Sequence, residues 1–504
     1  MELKLNKQPL FISEMLADTT VEQPLECDAL LPDYCPDIVR ILKCMVTPTV
    51  ASRRLNGQRL EIEGMAVIVV FYTSTGEGVQ KAEYKVPFAK AVELRGEPAK
   101  HSLSVQVRPG YMNCRAVNQR RLDIRGAVTI GIFAIGCREE QVICGGEGAG
   151  IELREEQVNT GRLLGQESRE VRVTETLELT YGKPPVREVV RCQCVPRLVE
   201  CKTEAGKVVV KGELAIHLLY QHTNGCDQMD FTVPTAAVIE LDGIDEHCMV
   251  SVTQEMMFCT LEPCADREGE YRNLTLEAVV LMTAKAECPV KTTCCTDCYS
   301  TKCQCSFHTK SYNTLRLEDT LHQPVTLREV MTLPDNIESV VDLWCEAGGV
   351  SFRGDQSAVG CEGRVTVCIL GKLRDGELIY FDKNLELSER IPVTAANAVV
   401  DGRATVMGSG YSFSANDAIE VRCDLMLDGS IYSAQRFTGL DDIVLDEKKS
   451  KAGSVPTGLY LYMAGDGEAM WEIAKRYNTS VQRIQEENPQ TEGRRGDVLI
   501  IPVL

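Results

Sequence analysis

Residues 60–72 read LEIEGMAVIVVFY, and the way apolar side chains recur at every second place around Gly64 decides the fold. A period of two sends alternate side chains to opposite faces, so this stretch is a strand with one face on a core. Glycine inside such a strand marks a bulge or bend, because a residue without Cβ lets the ladder break without a clash. The pattern recurs. Residues 208–220 read VVVKGELAIHLLY and residues 358–371 read AVGCEGRVTVCILG, with Gly212 and Gly363 standing where Gly64 stands.

Upstream of each glycine lies a second shared motif: DIVRILKC at 37–44, EVVRCQC at 188–194 and ESVVDLWC at 338–345. The closing Cys44, Cys194 and Cys345 fall roughly 150 residues apart, which is the signature of an internal repeat. Downstream come turn-rich stretches at 74–78, 222–227 and 373–377, then a further alternating strand that begins at Leu122 (LDIRGAVTIGIF), Leu274 (LTLEAVVLMT) and Ile419 (IEVRCDLML). The expected architecture is mainly β. It has three sandwich-like or barrel-like units over 1–150, 165–306 and 320–443, a linker over 444–458, and a small βααβ module over 459–504.

The whole composition agrees with folded domains: 504 residues, 44% hydrophobic and 25% charged. A formal net charge of −19 offers no footprint for a phosphate backbone, so nucleic acid is not expected as a partner. The same charge disfavours adsorption to anionic lipid. The opening MELKLNKQPLFIS lacks the apolar core of a secretory signal, and no apolar run approaches the roughly 20 residues that span a bilayer. A cytoplasmic protein without direct membrane insertion is expected.

No catalytic constellation is visible. The six histidines have no companion pattern, and His217 lies within a strand as an ordinary core or surface residue. There is no G-x-S-x-G elbow and no H-E-x-x-H pair. The glycine-rich CGGEGAG at 144–150 has neither dinucleotide nor P-loop spacing and reads as a linker. A non-enzymatic protein without a cofactor is therefore expected. Among the 23 cysteines, the cluster CPVKTTCCTDCYSTKCQCSFH at 288–308 could supply zinc ligands from Cys295, Cys298, Cys303, Cys305 and His308. All of these lie in one short run rather than on two separated knuckles. Reduced thiols are the preferred reading, with a zinc site and a redox-sensing pair as alternatives.

The C-terminal module is dense with signals. Residues 460–464 read as a strand. EAMWEIAKRYN at 468–478 puts Met470, Trp471, Ile473, Ala474 and Tyr477 on one helical face. Thr479 or Ser480 caps a second helix, with Gln482 as a capping-box partner to Thr479, and VLIIPV at 498–503 closes the unit. These positions, with Tyr462, Gly467, Asn488, Pro489 and Gly496, resemble the LysM family. That resemblance implies a shallow binding groove between the loop before the first helix (Gly467, Glu468, Ala469, Met470, Trp471) and the loop at 488–492 (Asn488, Pro489, Gln490), which in the family holds N-acetylglucosamine glycans. The family's polar Asp-Thr pair is replaced here by Glu468-Ala469, which removes a hydroxyl from that groove.

The repeats resemble a family as well. LPDYCPDIVRIL from Leu31, the glycine-centred strands and DCYSTK from Asp297 are similar to the SPOCS domains of spore-coat proteins. SPOCS repeats joined to one LysM imply a scaffold in the mother-cell cytoplasm that binds a coat morphogenetic ATPase and other coat proteins at the forespore surface. The LysM then contacts protein, and peptidoglycan is the alternative ligand.

Overall fold

The computed structural model describes residues 3–75, 78–97, 99–334, 337–414, 418–451, 458–465, 468–490 and 498–503. The first repeat comprises β1 (Lys4–Leu30), β2 (Arg40–Asn56), β3 (Arg59–Thr73), β4 (Gln80–Glu93), β5 (Lys100–Asn118) and β6 (Arg121–Glu147). It forms two antiparallel sheets, β1-β6-β5 and β2-β3-β4. Leu60, Ile62, Ala66, Ile68 and Val70, the inward set of β3, are fully buried between them with Leu122, Ile124 and Ile130 of β6.

The second repeat copies the plan with β7 (Ile151–Glu178), β8 (Glu188–Glu204), β9 (Lys207–His222), β10 (Gly225–Glu240), β11 (Met249–Cys264) and β12 (Asn273–Ser300). The third uses β13 (Cys303–Thr332), β14 (Ile337–Ala347), β15 (Ser351–Gly354), β16 (Ala358–Leu373), β17 (Leu378–Pro392), β18 (Ala398–Ser414) and β19 (Ala418–Ser450). There β14 and β15 share the place that one strand fills in the other repeats, both pairing with β16.

The glycine-centred bulge is present, and the extra residue lies on the partner strand. Val50 faces Gly64 and Ser52 faces Glu63, so Ala51 bulges out of β2; Val199 does the same opposite Gly212. In the third repeat the partner strand breaks opposite Gly363, between β14 and β15. Glycine is required because a Cβ on Gly64 would lie 2.4 Å from the Thr49 carbonyl oxygen, and one on Gly212 would lie 2.8 Å from that of Arg197. Register also corrects the cysteine alignment. Ile68, Ile216 and Val367 are equivalent, and they face Val46, Cys194 and Cys345. Cys44 instead corresponds to Cys192 and Leu343, two places earlier.

The stretches expected to separate the units are strands. Residues 151–164 belong to β7 and pair with the end of β12; residues 306–320 belong to β13 and pair with β19. Residues 444–446, expected as linker, pair with 304–306. Only Gly148, Ala149 and Gly150 of the glycine-rich segment form a turn, all at positive φ. The long first and last strands of each repeat therefore run past its own core as a two-stranded ribbon. Each ribbon has a bulge where it leaves the core, at Leu16, Leu164 and Glu318.

The three ribbons pack on one another as a shared stem. Leu10, Ile12 and Val142 of the first meet Val158 and Cys294 of the second and Tyr312 of the third. Sequence periodicity reported one buried face per strand, but it could not say that the buried face changes partner halfway along.

A second junction joins the repeats at their heads. In DIVRILKC and its counterparts a bulge pushes out one apolar residue per repeat, Leu42, Val190 and Val341. These cluster with Phe71, Leu219, Leu370 and Trp344. The next residue is charged in every repeat: Lys43, Arg191 and Asp342, facing the equivalent Phe71, Leu219 and Leu370. Arg191 Nε donates to Asp342 Oδ2 at 2.7 Å, with the two side chains 7% and 0% exposed. The guanidinium also lies over the Trp344 ring at 4.7 Å. His217 has partners on both ring nitrogens: its Nε2 lies 3.1 Å from Asp342 Oδ1 and its Nδ1 lies 2.7 Å from Asp230.

Candidate functional site

The C-terminal module has the expected order: β20 (Gly458–Met463), α1 (Met470–Tyr477), α2 (Val481–Glu487) and β21 (Val498–Val503), with β20 antiparallel to β21. Helix α1 begins two residues later than its pattern suggests. Its N-cap is Ala469, which supplies no side-chain acceptor, whereas Asn478 closes it in the left-handed conformation. Helix α2 is capped by Ser480, whose hydroxyl accepts from the Arg483 amide at 3.2 Å. Gln482 forms no capping box with Thr479: it donates to Glu486, and Thr479 is buried.

The groove residues divide sharply. Gly467 and residues 491–492 of the second loop lie outside the described residues. Glu468 is tied internally, accepting from the Tyr462 hydroxyl at 2.6 Å and pairing with Arg476 at 2.8 Å. The Tyr462 and Arg476 contacts hold its carboxyl below the ordinary value, the Tyr462 hydrogen bond being the largest cause. Asn488 is buried and stitches α2 to β21: its amide donates to the Ile484 and Ile500 carbonyls and its oxygen accepts from the Ile500 amide. Met470 packs into the module core. Ala469, Pro489 and Gln490 are exposed.

Trp471 is engaged within the chain. Its indole Nε1 donates to Asp297 Oδ2 at 2.7 Å, and its ring meets Tyr299 edge to face with centroids 5.0 Å apart. Lys475, one turn on, reaches both Asp297 oxygens at 2.7 Å. Tyr299 is 2% exposed and donates its hydroxyl to the Thr479 carbonyl at 2.6 Å. Asp297 and Tyr299 end β12 at the tip of the stem, so the DCYSTK motif is the platform on which the module sits. Lys451 adds a tie by bonding the Ser300 carbonyl and Asn478 Oδ1. In the sequence this motif stands out for its cysteines and for its likeness to SPOCS domains, not as a contact for the C-terminal module. The alternation of Asp297 and Tyr299 around a buried Cys298 was the available signal, but nothing local says which element covers such a face.

The cysteine cluster does not assemble a zinc site among the described residues. Cys294 and Cys295 are fully buried, and Cys303 contacts the Ser300 hydroxyl. His308 sits in the β13–β19 ladder. Cys298 and Cys305 alone bring their sulfurs together, 3.6 Å apart. Cys288 is joined by a disulfide to Cys248, beside Asp245, a pairing that the spacing did not suggest.

Outside the module, a cavity of about 300 Å³ opens where the three repeats meet above the stem. Its wall includes Arg53, Lys285, Asp401, Arg403 and Ser430. Lys285 donates to the Ser430 and Tyr432 hydroxyls, and Ser430 bonds Ser251 at 2.9 Å. Glu200, Glu255 and Asp428 join Asp401 on the wall opposite the Arg53, Lys285 and Arg403 cations, so it favours no one charge class of ligand.

Just below, Glu287 accepts from the Leu317 amide at 2.8 Å in space left by Gly161. Burial pushes its carboxyl up to about 7 despite that hydrogen bond and the nearby Lys285 and Arg316 charges. A carboxyl raised in the folded state contributes stability below its unfolded value, and that contribution is lost as pH rises through about 7. Between pH 5 and pH 8 the wild-type protein should lose stability on the order of 3 kcal/mol through this group. Glu287→Gln, which keeps the acceptor, should remove that part of the decline in urea melts at the two pH values. His217 has the same sign, because its Asp342 and Asp230 contacts outweigh the lowering effect of burial. The wild-type minus variant difference isolates Glu287. Equal declines in both proteins would show that Glu287 ionises freely in the fold.

No helix among the described residues is long and apolar enough to cross a membrane. No curated protein and no solved structure matches the chain. The model of one family, described as SipL, SPOCS domain, matches residues 37–117 and 185–262. Both matches span the same four strands of their repeats, β2–β5 and β8–β11, between the long strands that build the stem. Over those two segments the chain is similar to SPOCS-domain, SipL-like proteins.

Proposed function

We propose that this protein is a non-enzymatic scaffold for spore coat assembly, docking a coat morphogenetic ATPase at the forespore surface in the mother-cell cytoplasm through its LysM-like module. The observation that carries the reading is the pair of SPOCS matches in repeats whose stem holds that module. The packing supports a rigid platform: the repeats share cores at head and stem, and Tyr299 and Asp297 anchor the module. A protein partner suits what the module leaves outward. Leu459, Leu461 and Met463 project from β20 at 70–78% exposure, with Val498 paired beside Met463. A contiguous aliphatic strip of this kind suits a protein surface, whereas Ala469 brings no hydroxyl to a sugar.

The test is a pull-down of the coat ATPase by the full chain carrying Leu461→Glu and Met463→Glu, beside sedimentation with purified peptidoglycan. Retention should fall at least tenfold, with no saturable sedimentation of either protein. Undiminished retention removes the module from ATPase docking. Saturable sedimentation of the wild type would move the reading to a peptidoglycan-binding protein.

A further inference from the structure

We propose that Cys298 and Cys305 are a redox-active dithiol beneath the C-terminal module, which a small-molecule disulfide such as oxidised glutathione converts to a protein disulfide. Their sulfurs are in contact at 3.6 Å, on β12 and β13 either side of the turn at 301–302. An S–S bond of about 2.05 Å requires the two atoms to close by roughly 1.5 Å, within reach of side-chain rotation. Access is asymmetric: Cys298 is 1% exposed and Cys305 is half-buried.

Cys305 is the attacking sulfur. The hydrogen bond from Cys298 lowers its thiol first, and the Lys451 and Lys475 ammonium groups add to that against the pull of burial and Asp297. Other thiols also touch, but their setting differs. Beside Cys44 and Cys114 the nearby charge on Cys114 is the Asp123 carboxylate, which opposes a thiolate. Cys345 and Cys423 are both buried.

The exchange balances without a further reagent. The Cys305 thiolate attacks one sulfur of the oxidant, breaking its S–S bond and releasing one thiol as a mixed disulfide forms. Cys298 then attacks the Cys305 sulfur, forming the protein disulfide and releasing the second thiol. The two protein thiol protons end on the two released thiols, and the two electrons reside there also. The bond would tie together the strands that carry Asp297 and Tyr299 on one side and Phe307, under Lys475, on the other. It therefore sets the rigidity of the platform rather than the module itself.

The full-length protein is incubated with oxidised glutathione, alkylated after denaturation, and mapped by peptide mass spectrometry. Cys298 and Cys305 should be lost together to alkylation, appear as one linked peptide pair, and return with dithiothreitol. Exposed Cys201 reports that the oxidant reached the protein. In Cys305→Ser, Cys298 should stay alkylatable; in Cys303→Ser the linkage should persist. Continued alkylation of both residues while Cys201 is modified, a mixed disulfide that stays on Cys305, or a Cys303–Cys305 bridge would each overturn the proposal.

Discussion

Asp342→Ala should lower the stability of the folded protein by about 3–5 kcal/mol, because it leaves Arg191 charged and buried where the heads meet. Asp342 is fully buried and receives Arg191 Nε at 2.7 Å, His217 Nε2 at 3.1 Å and the Gln228 amide at 3.4 Å. Burial by itself would raise its carboxyl, but the Arg191 charge and these hydrogen bonds outweigh it and hold the group below its ordinary value. Its contribution is consequently present above the usual carboxylate range and is lost as pH falls through its folded value. Removing both members should cost far less: Arg191→Leu with Asp342→Leu replaces two desolvated charges by apolar volume beside Phe71, Leu219 and Trp344. Urea melts of the single and double variants give the comparison. A loss under about 1 kcal/mol for Asp342→Ala would mean that Arg191 reaches solvent when its partner is removed.

Tyr299→Ala should release the C-terminal module from the stem. The side chain is 2% exposed, packs against Trp471 and holds the Thr479 carbonyl, so truncation forfeits about 3–5 kcal/mol of packing at the junction. Tyr299→Phe loses only the hydroxyl and should cost about 1 kcal/mol. The chain has two tryptophans, so in a Trp344→Phe background the fluorescence reports on Trp471 alone. The alanine variant should shift emission to the red and raise acrylamide quenching severalfold; the phenylalanine variant should change little. Unchanged quenching in Tyr299→Ala would show that Asp297, Lys475 and Lys451 hold the module unaided. The junction also bears on substitutions at Trp471, since replacing that residue disturbs the platform as well as any outside partner.

Much of the architecture was legible because it is written in local chemistry. Three glycines in register and the alternating strands around them each report a steric or hydrophobic requirement within a few residues of themselves, and the shared upstream motif marks the repeat. The βααβ order was legible for the same reason, from a helical face and the closing strand. The candidate site was legible only as a set of side chains. Asn488 and Glu468 look alike as polar loop residues, yet one is sealed between α2 and β21 and the other is held by Tyr462 and Arg476. Which polar atoms remain free depends on neighbours that the loop does not encode.

The sequence by itself determined the strands around Gly64, Gly212 and Gly363, their threefold repetition and the module's order of elements, since each follows from periodicity and backbone sterics along the chain. Tertiary structure alone decided that residues 151–164, 306–320 and 444–446 are stem strands, that Lys43, Arg191 and Asp342 line a shared junction, and that Trp471 is spent on Asp297 and Tyr299. Those outcomes depend on which apolar face covers which. Burial free energy is non-directional, and partners more than a hundred residues apart leave no mark in the local pattern.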